Sequence, residues 1–90
     1  MLKLELSKSA KDFLDTLPPK QFRQLVTKIF SLLTQPEPHD SKALRGFPYR
    51  RTDVGEYRII YDVQGENLRI VLVGKRNDDE IYKSLQRLNM

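Results

Sequence analysis

The first third of the chain changes from an alternation of period two to a helical period. Leucine alternates with charged residues over residues 1–6, which predicts a half-buried first strand. Ser7 fits an N-cap, and apolar residues then recur at helical spacing until a proline pair stops the helix. Pro19 can occupy the first turn of a second helix, whose apolar stripe begins at Phe22. This pattern predicts a strand followed by a helical hairpin.

A loop with two prolines, residues 35–41, separates the hairpin from a region of strand-like sequence. Three segments after it are rich in β-branched and aromatic residues, and Gly55-Glu56 and residues 64–67 supply the turns between them. These segments are 49–54, 57–63 and 68–73. They predict a three-stranded antiparallel meander.

The chain should end in a third helix. Asp78 is a good N-cap for it, and Asp79 and Glu80 lie in the first turn, where the helix dipole favours acids. Its apolar positions are Ile81, Leu85 and Leu88. The order β-α-α-β-β-β-α predicts an α+β fold: a mostly antiparallel four-stranded sheet with an N-terminal helical hairpin and a C-terminal helix. We expect the helices to lie on one face of this sheet.

Composition indicates the kind of partner more clearly than it indicates the fold. Ninety residues suffice for a single domain, residues 1–90, and the 39% hydrophobic content allows a compact core. The chain has no cysteine, and its N-terminus lacks the continuous apolar stretch of a signal peptide, so we expect a cytoplasmic protein without membrane association. Sixteen Lys and Arg against twelve Asp and Glu favour polyanionic partners.

Several kinds of chemistry are excluded by what the sequence contains. His39 is the only histidine and lies in the proline loop, so a two-histidine ribonuclease mechanism is impossible. A zinc site of the Cys/His type cannot form, and the acidic residues 78–80 fit a helix start better than a metal cluster. The glycines match no nucleotide-binding motif. We expect neither a metal nor a cofactor.

Arginine and tyrosine collect in the second half of the chain, and Arg58 is the most informative of them. Strand alternation places Arg58 with Ile60 on one face, opposite the face of Tyr57, Ile59 and Tyr61. An arginine in the middle of an apolar strand is costly unless its guanidinium meets an anion or water, which makes Arg58 a candidate site residue. The alternative is a structural ion pair with Asp53, Asp62 or Glu80.

A second group of candidates follows the last strand. Lys75 and Arg76 end that strand just before a helix, where cationic side chains and backbone donors can meet a phosphate. Tyr82 lies in the first turns of the helix, so its hydroxyl could reach the same edge of the sheet. Taken alone, a tyrosine there is more often a helix anchor than a catalyst.

Three segments together resemble the RelE branch of the RelE/ParE toxin superfamily. The segments are Leu44-Arg45-Gly46-Phe47-Pro48, Val54-Gly55-Glu56-Tyr57-Arg58-Ile59-Ile60-Tyr61 and Val73-Gly74-Lys75-Arg76 with Ile81-Tyr82. The predicted element order also matches that family's fold. The resemblance implies a toxin that enters the ribosomal A site and cuts mRNA there, by attack of the ribose 2′-hydroxyl on the adjacent phosphate to give a 2′,3′-cyclic phosphate.

The resemblance also implies roles for individual residues. Arg58 and Arg76 match the family's phosphate-binding arginines, and Tyr82 matches its reactive-site tyrosine. Arg51, and less closely Arg50, lie on the strand where the family usually has catalytic basic residues, one of them often a lysine. Asp53 departs from the pattern, because many relatives carry a second basic residue there. Arginine hardly releases a proton, so charge stabilisation is a better role for Arg51 than general acid catalysis.

The remaining expectations concern partners and alternatives. Additional RNA contacts are expected from Arg45, Arg50 and Lys75. The resemblance implies an acidic antitoxin with an amphipathic helix, a toxin-antitoxin hetero-oligomer, and the ribosome with its mRNA as the target. Two other functions stay open: inhibition of DNA gyrase, as in the ParE branch, and non-catalytic nucleic-acid binding, with arginines on phosphates and tyrosines stacked on bases.

Overall fold

The helices and strands follow the predicted order, with one additional strand. A computed structural model describes residues 1–77 and 80–88, without the side chain of Leu88. The strands are β1 (Lys3–Leu6), β2 (Ser41–Ala43), β3 (Arg50–Val54), β4 (Tyr57–Gln64) and β5 (Asn67–Lys75). The helices are α1 (Lys8–Asp15), α2 (Pro19–Leu32) and α3 (Glu80–Leu88). None of these helices is long and apolar enough to cross a membrane.

The sheet is mostly antiparallel, as predicted, and its strand order is β1-β5-β4-β3-β2. Only β1 runs parallel to its neighbour, β5; the β2–β3, β3–β4 and β4–β5 pairs are antiparallel. The sheet has five strands rather than the predicted four because the end of the proline loop pairs with β3, Ser41 opposite Thr52. Three residues are too few to show a period of two, so the sequence pattern gave no sign of this edge strand.

The helices lie on both faces of the sheet, which corrects the expectation of helices on one face. Residues of the α1–α2 hairpin pack with Ile59, Tyr61 and Leu68 in one core cluster. In a second cluster α3 packs with Ile60 and Leu72. Adjacent residues of β4 therefore face different helices, and β4 and β5 are apolar on both sides. A strand buried on both faces does not show which face each helix will cover.

A β-bulge in β5 keeps both apolar faces in register. Ile60 pairs with Leu72, but Tyr61 pairs with Ile70, so Val71 is an extra residue on β5. The hydroxyl of Ser7 donates a hydrogen bond to the Val71 carbonyl at 2.7 Å and accepts one from the backbone N–H of Ala10 at 3.0 Å. Ser7 is thus the predicted N-cap of α1 and also satisfies the carbonyl of the bulge.

Part of the apolar sequence remains exposed beside the hairpin. Leu4 and Leu6 of β1 are 38% and 40% exposed, and Phe22 and Phe30 of α2 are 39% and 56% exposed. With Val26 these side chains line one groove, called the apolar groove below. The strand β1 and the start of α2 at Pro19 lie where predicted, but the leucine face of β1 is more exposed than a half-buried strand implies.

The predicted start and end of α3 lie partly outside the described residues. The N-cap Asp78, the first-turn acid Asp79 and the apolar side chain of Leu88 lie outside the described residues. The other two apolar positions, Ile81 and Leu85, are 5% and 0% exposed and belong to the second core cluster.

Candidate functional site

Charged and hydroxyl-bearing side chains meet on the sheet face that α3 covers. Arg51 of β3 lies opposite Ile60, and Asp53 lies opposite Arg58 of β4. Ile60 packs under α3, so alternation places the side chains of Arg51, Asp53 and Arg58 on that same face. We call these three residues, together with Tyr82 of α3 and Arg76, the arginine cluster.

The Arg58 guanidinium lies at the centre of the cluster. Its Nε donates to Oδ1 of Asp53 at 2.8 Å, and its Nη2 donates to Oδ2 of Asp53 at 3.2 Å. Its Nη1 donates to the hydroxyl of Tyr82, and Cζ lies 5.9 Å from the centroid of the Tyr82 ring. The Arg58 side chain is 13% exposed. Arg58 is therefore held on two sides, by a carboxylate and by a tyrosine.

The tight turn between β3 and β4 fixes this pairing. Gly55 has a φ of +58°, a conformation that favours glycine, and the two-residue turn Gly55-Glu56 makes Val54 and Tyr57 opposite neighbours. Asp53 and Arg58 form the next pair along the ladder. Their side chains are direct cross-strand neighbours, the arrangement in which opposite charges stabilise a sheet.

A glycine lets α3 bring Tyr82 close to the sheet. Gly74 of β5 pairs with Arg58, and a Cβ built on Gly74 would lie 3.4 Å from Cδ1 of Ile81. A Cβ there would already be in van der Waals contact with Ile81, which leaves little room for a side chain that extends beyond Cβ. Close packing of Ile81 on Gly74 thus places Tyr82, the next residue of α3, within hydrogen-bond reach of Arg58.

Two further arginines surround the Asp53 carboxylate. Nη1 of Arg51 lies 3.8 Å from its Oδ2. Arg76 is exposed and follows β5, and its backbone N–H donates to the carbonyl of Glu56 in the β3–β4 turn at 2.9 Å. This bond ties the end of β5 to the turn, so the charge of Arg76 acts on Asp53 as well.

Hydrogen bonding keeps Asp53 and Arg58 ionised. The bonds from Arg58 hold the pKa of Asp53 below its ordinary value; burial opposes this, and the charges of Arg58, Arg51 and Arg76 add to it. The hydrogen bond to Asp53 raises the pKa of Arg58 in turn. A carboxylate with a lowered pKa is a poor proton acceptor, so Asp53 is unsuited to general base catalysis.

The structure does not bring the three expected RNA-contact residues into the cluster. Arg50 lies opposite Tyr61, which packs toward the helical hairpin, and its Nη2 donates to the hydroxyl of Ser41 at 2.9 Å. Lys75 is exposed and lies opposite Tyr57, whose side chain also faces the hairpin. Arg45 is exposed in the turn that precedes β3. Of the two adjacent arginines of β3, only Arg51 faces Arg58.

The sequence identified Asp53 as one of three possible ion-pair partners for Arg58 and as a departure from the family's pattern, but did not reveal its central position. The structure shows that Arg58 does form this ion pair, and that it also contacts Tyr82. The signal was present in the sequence, because a two-residue turn at Gly55-Glu56 makes Asp53 and Arg58 cross-strand partners. The other two acids differ: Asp62 pairs with Arg69, and Glu80 forms an ion pair with Lys83.

Comparisons with known proteins agree with the architecture. The family model described as ParE toxin of type II toxin-antitoxin system, parDE, matches residues 4–80. No curated protein sequence gives a significant match. Among solved structures, the isolated RelE toxin of E. coli aligns with a TM-score of 0.75 at 23% identity over 100% of both chains.

Two further structures show the same fold in other organisms. The RelE-RelB complex of Pyrococcus horikoshii OT3 matches with a TM-score of 0.75 at 24% identity, over 84% of this chain and 96% of that chain. The YoeB/ParE toxin from Agrobacterium tumefaciens matches with a TM-score of 0.73 at 19% identity, over 83% and 99%. The family model covers most of the chain, and the structural matches share its fold. The chain therefore belongs to the ParE toxin family of type II toxin-antitoxin systems, within the RelE/ParE superfamily, and has the RelE fold.

Proposed function

We propose that this toxin is a metal-independent endoribonuclease that cuts mRNA in the ribosomal A site. The observation that carries the proposal is the contact between Arg58 and the Tyr82 hydroxyl, on the same sheet face as Arg51. A guanidinium can bind a phosphate, and a hydroxyl beside it can transfer a proton. Both residues are those that the resemblance to RelE assigns to the reaction.

The reaction proceeds by in-line attack on phosphorus. The ribose 2′-oxygen forms a bond to phosphorus and loses its proton, and the bond from phosphorus to the 5′-oxygen breaks as that oxygen gains a proton. The products are a 2′,3′-cyclic phosphate and a 5′-hydroxyl. Arg51, Arg58 and Arg76 stabilise the charge that develops on the phosphorane oxygens. Tyr82 or a ribosomal group removes the 2′ proton.

The ribosome supplies the alignment that the arginine cluster lacks. Guanidinium groups bind and neutralise phosphate in any RNA, but they do not hold a flexible strand with its 2′-hydroxyl in line with the leaving oxygen. Arg76 lies exposed beyond β5, so part of the cluster faces solvent. Because the arginine cluster does not align the strand by itself, free RNA should be a poor substrate.

The test compares naked and ribosome-bound mRNA at equal concentrations. Naked RNA is incubated in excess EDTA and again with magnesium, and bound RNA at the magnesium level that ribosomes need. We expect cuts in A-site codons only, ending in a cyclic phosphate. Efficient, magnesium-stimulated cutting of naked RNA would overturn the mechanism.

Variants then assign the chemistry to residues. Arg58→Ala should abolish cleavage, and Tyr82→Phe should lower it by roughly 10²-fold or more if the hydroxyl transfers the proton. Arg69→Ala is the matched control, because Arg69 also forms two hydrogen bonds to a cross-strand aspartate, at 2.7 and 2.8 Å. The assignment fails if Arg58→Ala retains the activity of Arg69→Ala.

Inhibition of DNA gyrase is the second candidate function, because the matching family model is that of ParE toxins. The pairing of Arg58 with Asp53 also favours it, since an arginine already bound to a carboxylate is less available to a phosphate. Gyrase supercoiling assays with the same protein separate the two functions. Inhibition of supercoiling without any mRNA cleavage would establish this alternative.

We further propose an acidic antitoxin with an amphipathic helix as the partner. Solved relatives of this fold include a RelE-RelB complex. The apolar groove offers Leu4, Leu6, Phe22 and Phe30 to the apolar face of such a helix, and acidic residues of the antitoxin would meet the arginine cluster. Phe30→Ser should weaken the complex at every salt concentration. For the unmodified toxin, the affinity for the antitoxin should fall as salt rises from about 50 to 300 mM. Titration calorimetry with the protein encoded beside the toxin gene tests both points.

A further inference from the structure

The two hydrogen bonds to Asp53 determine which part of Arg58 remains available. Asp53 accepts from Nε and Nη2, which form one edge of the guanidinium. Nη1 lies outside that edge and contacts the Tyr82 hydroxyl. A planar guanidinium held along one edge cannot rotate without breaking both bonds. The orientation of Nη1 is thus set by Asp53, from a position on β3 that the sheet itself fixes.

The same carboxylate works against phosphate binding. Asp53 lies 3.8 Å from Nη1 of Arg51, and Arg76 also acts on its charge. A phosphate that approaches these arginines meets a negative charge that the sheet holds in place. Like charges at short distance repel, most strongly where water is partly excluded, and the Asp53 side chain is only 28% exposed.

We propose that Asp53 is a positioning residue that weakens phosphate binding but orients Arg58 toward Tyr82 and the reacting phosphate. The proposal rests on the ribonuclease function proposed above. It leads to an unusual kinetic signature: removing the charge of Asp53 should tighten binding and slow the reaction. If Asp53 were needed only for folding, its replacement would lower activity without tightening binding. If its carboxylate only blocked the site, its replacement would tighten binding and leave the rate unchanged or raise it.

The chain contains a matched control for this signature. Asp62 of β4 lies opposite Arg69 of β5 and accepts hydrogen bonds from its Nε and Nη2 at 2.7 and 2.8 Å. By strand alternation Asp62 shares the sheet face of Arg58, four residues further along β4 and so about 13 Å away. Asp62→Asn therefore removes the same charge from the same face and the same kind of pair, but away from Tyr82.

The experiment measures single-turnover cleavage of ribosome-bound mRNA by the full chain, as Asp53→Asn, Asp62→Asn and the unmodified protein. For Asp53→Asn we expect the maximal rate to fall about tenfold or more, since misaligned catalytic groups are costly. The half-saturating toxin concentration should fall about threefold, because one negative charge is lost. Asp62→Asn should leave the maximal rate unchanged and tighten binding less, because its charge lies about 13 Å further along β4. An unchanged or higher rate for Asp53→Asn, or an equal loss for Asp62→Asn, overturns the proposal.

A second measurement needs no cleavage and so separates this proposal from the proposed function. The Nε–H of Arg58 should give a slowly exchanging ¹⁵N–¹H signal in the unmodified protein, because its proton is bonded to Asp53. Asp53→Ala should abolish that protection and increase affinity for inorganic phosphate. If no RNA is cut but these two changes occur, the ribonuclease function fails and the positioning of Arg58 stands. If protection survives Asp53→Ala, the positioning role is refuted.

Discussion

The free energy that couples Asp53 to Arg58 can be measured with a double-mutant cycle. The variants are Asp53→Ala, Arg58→Ala and the double replacement. Arg58→Ala leaves the carboxylate facing Arg51 at 3.8 Å, beyond hydrogen-bond distance. Each single variant therefore retains one charged or polar group without the partner that it has in the native sheet. We expect the two single losses to sum to more than the loss in the double variant.

Burial sets the size of the coupling. Exposed ion pairs contribute roughly 0.2–1 kcal/mol, and removing one partner of a fully buried pair costs roughly 3–5 kcal/mol. The Arg58 and Asp53 side chains are 13% and 28% exposed, between these limits. Together with two hydrogen bonds between charged groups, this predicts a coupling of about 1–2 kcal/mol. In a domain of this size that is a sizeable part of a total of roughly 5–10 kcal/mol.

Urea unfolding followed by circular dichroism gives each free energy of unfolding. The control is the Lys8–Asp12 pair, whose atoms lie 2.9 Å apart but whose side chains are 89% and 57% exposed. Distance alone would make the two pairs alike, whereas burial predicts a clearly smaller coupling for the exposed helical pair. A coupling between Asp53 and Arg58 no larger than that of the control would refute the reasoning. Equal m-values across the set would confirm that the comparison is valid.

Three further predictions concern stability. Ser7→Ala should lower the free energy of unfolding in urea by about 2 kcal/mol, because both the N-cap bond and the bond to the bulge carbonyl are lost. Ser9→Ala, at an exposed neighbouring position, should lower it much less. Tyr61→Phe should cost about 1–2 kcal/mol without affecting cleavage, because the fully buried Tyr61 donates to the Pro36 carbonyl; a larger effect on cleavage than on stability would contradict this. Acid should destabilise the fold as pH falls below 3.8, the ordinary pKa of Asp53, because the pKa of Asp53 in the folded protein is lower still. Unfolding curves from pH 5 to 2 measure this dependence, which Asp53→Asn should flatten.

Local signals in the sequence were enough for every described element except β2, and they implied the central pair of the site. The proline pair and Ser7 defined the hairpin, and the Gly55-Glu56 turn fixed the register of β3 and β4. That register implies the pairing of Asp53 with Arg58, because cross-strand neighbours follow from turn length. The placement of Arg58 with Ile60 on one face, which alternation predicted, agrees with their packing under α3.

Features that depend on tertiary contacts could not be derived in this way. The sequence does not indicate which side of the sheet α3 covers, because both faces of β4 and β5 are apolar and have the same strand-like pattern. The bulge at Val71 breaks the alternation of β5 and is stabilised by Ser7, which is 64 residues away in sequence. Arg50 and Arg51 could be told apart only once the pairing with β4 was known.

The position of α3 connects the fold directly to the proposed chemistry. Tyr82 reaches Arg58 from a helix that packs on the sheet through Ile81, beside Gly74, and Leu85, the buried anchors of α3 among the described residues. A partner that moves α3 away would separate the hydroxyl from the guanidinium without contacting either group. An antitoxin could therefore inactivate the toxin in two ways, by covering the arginines or by displacing the helix. The two modes differ at the contact between Arg58 Nη1 and the Tyr82 hydroxyl, which is lost only when α3 moves, whereas the Arg58 Nε–H signal should persist in both because Asp53 holds that proton from β3.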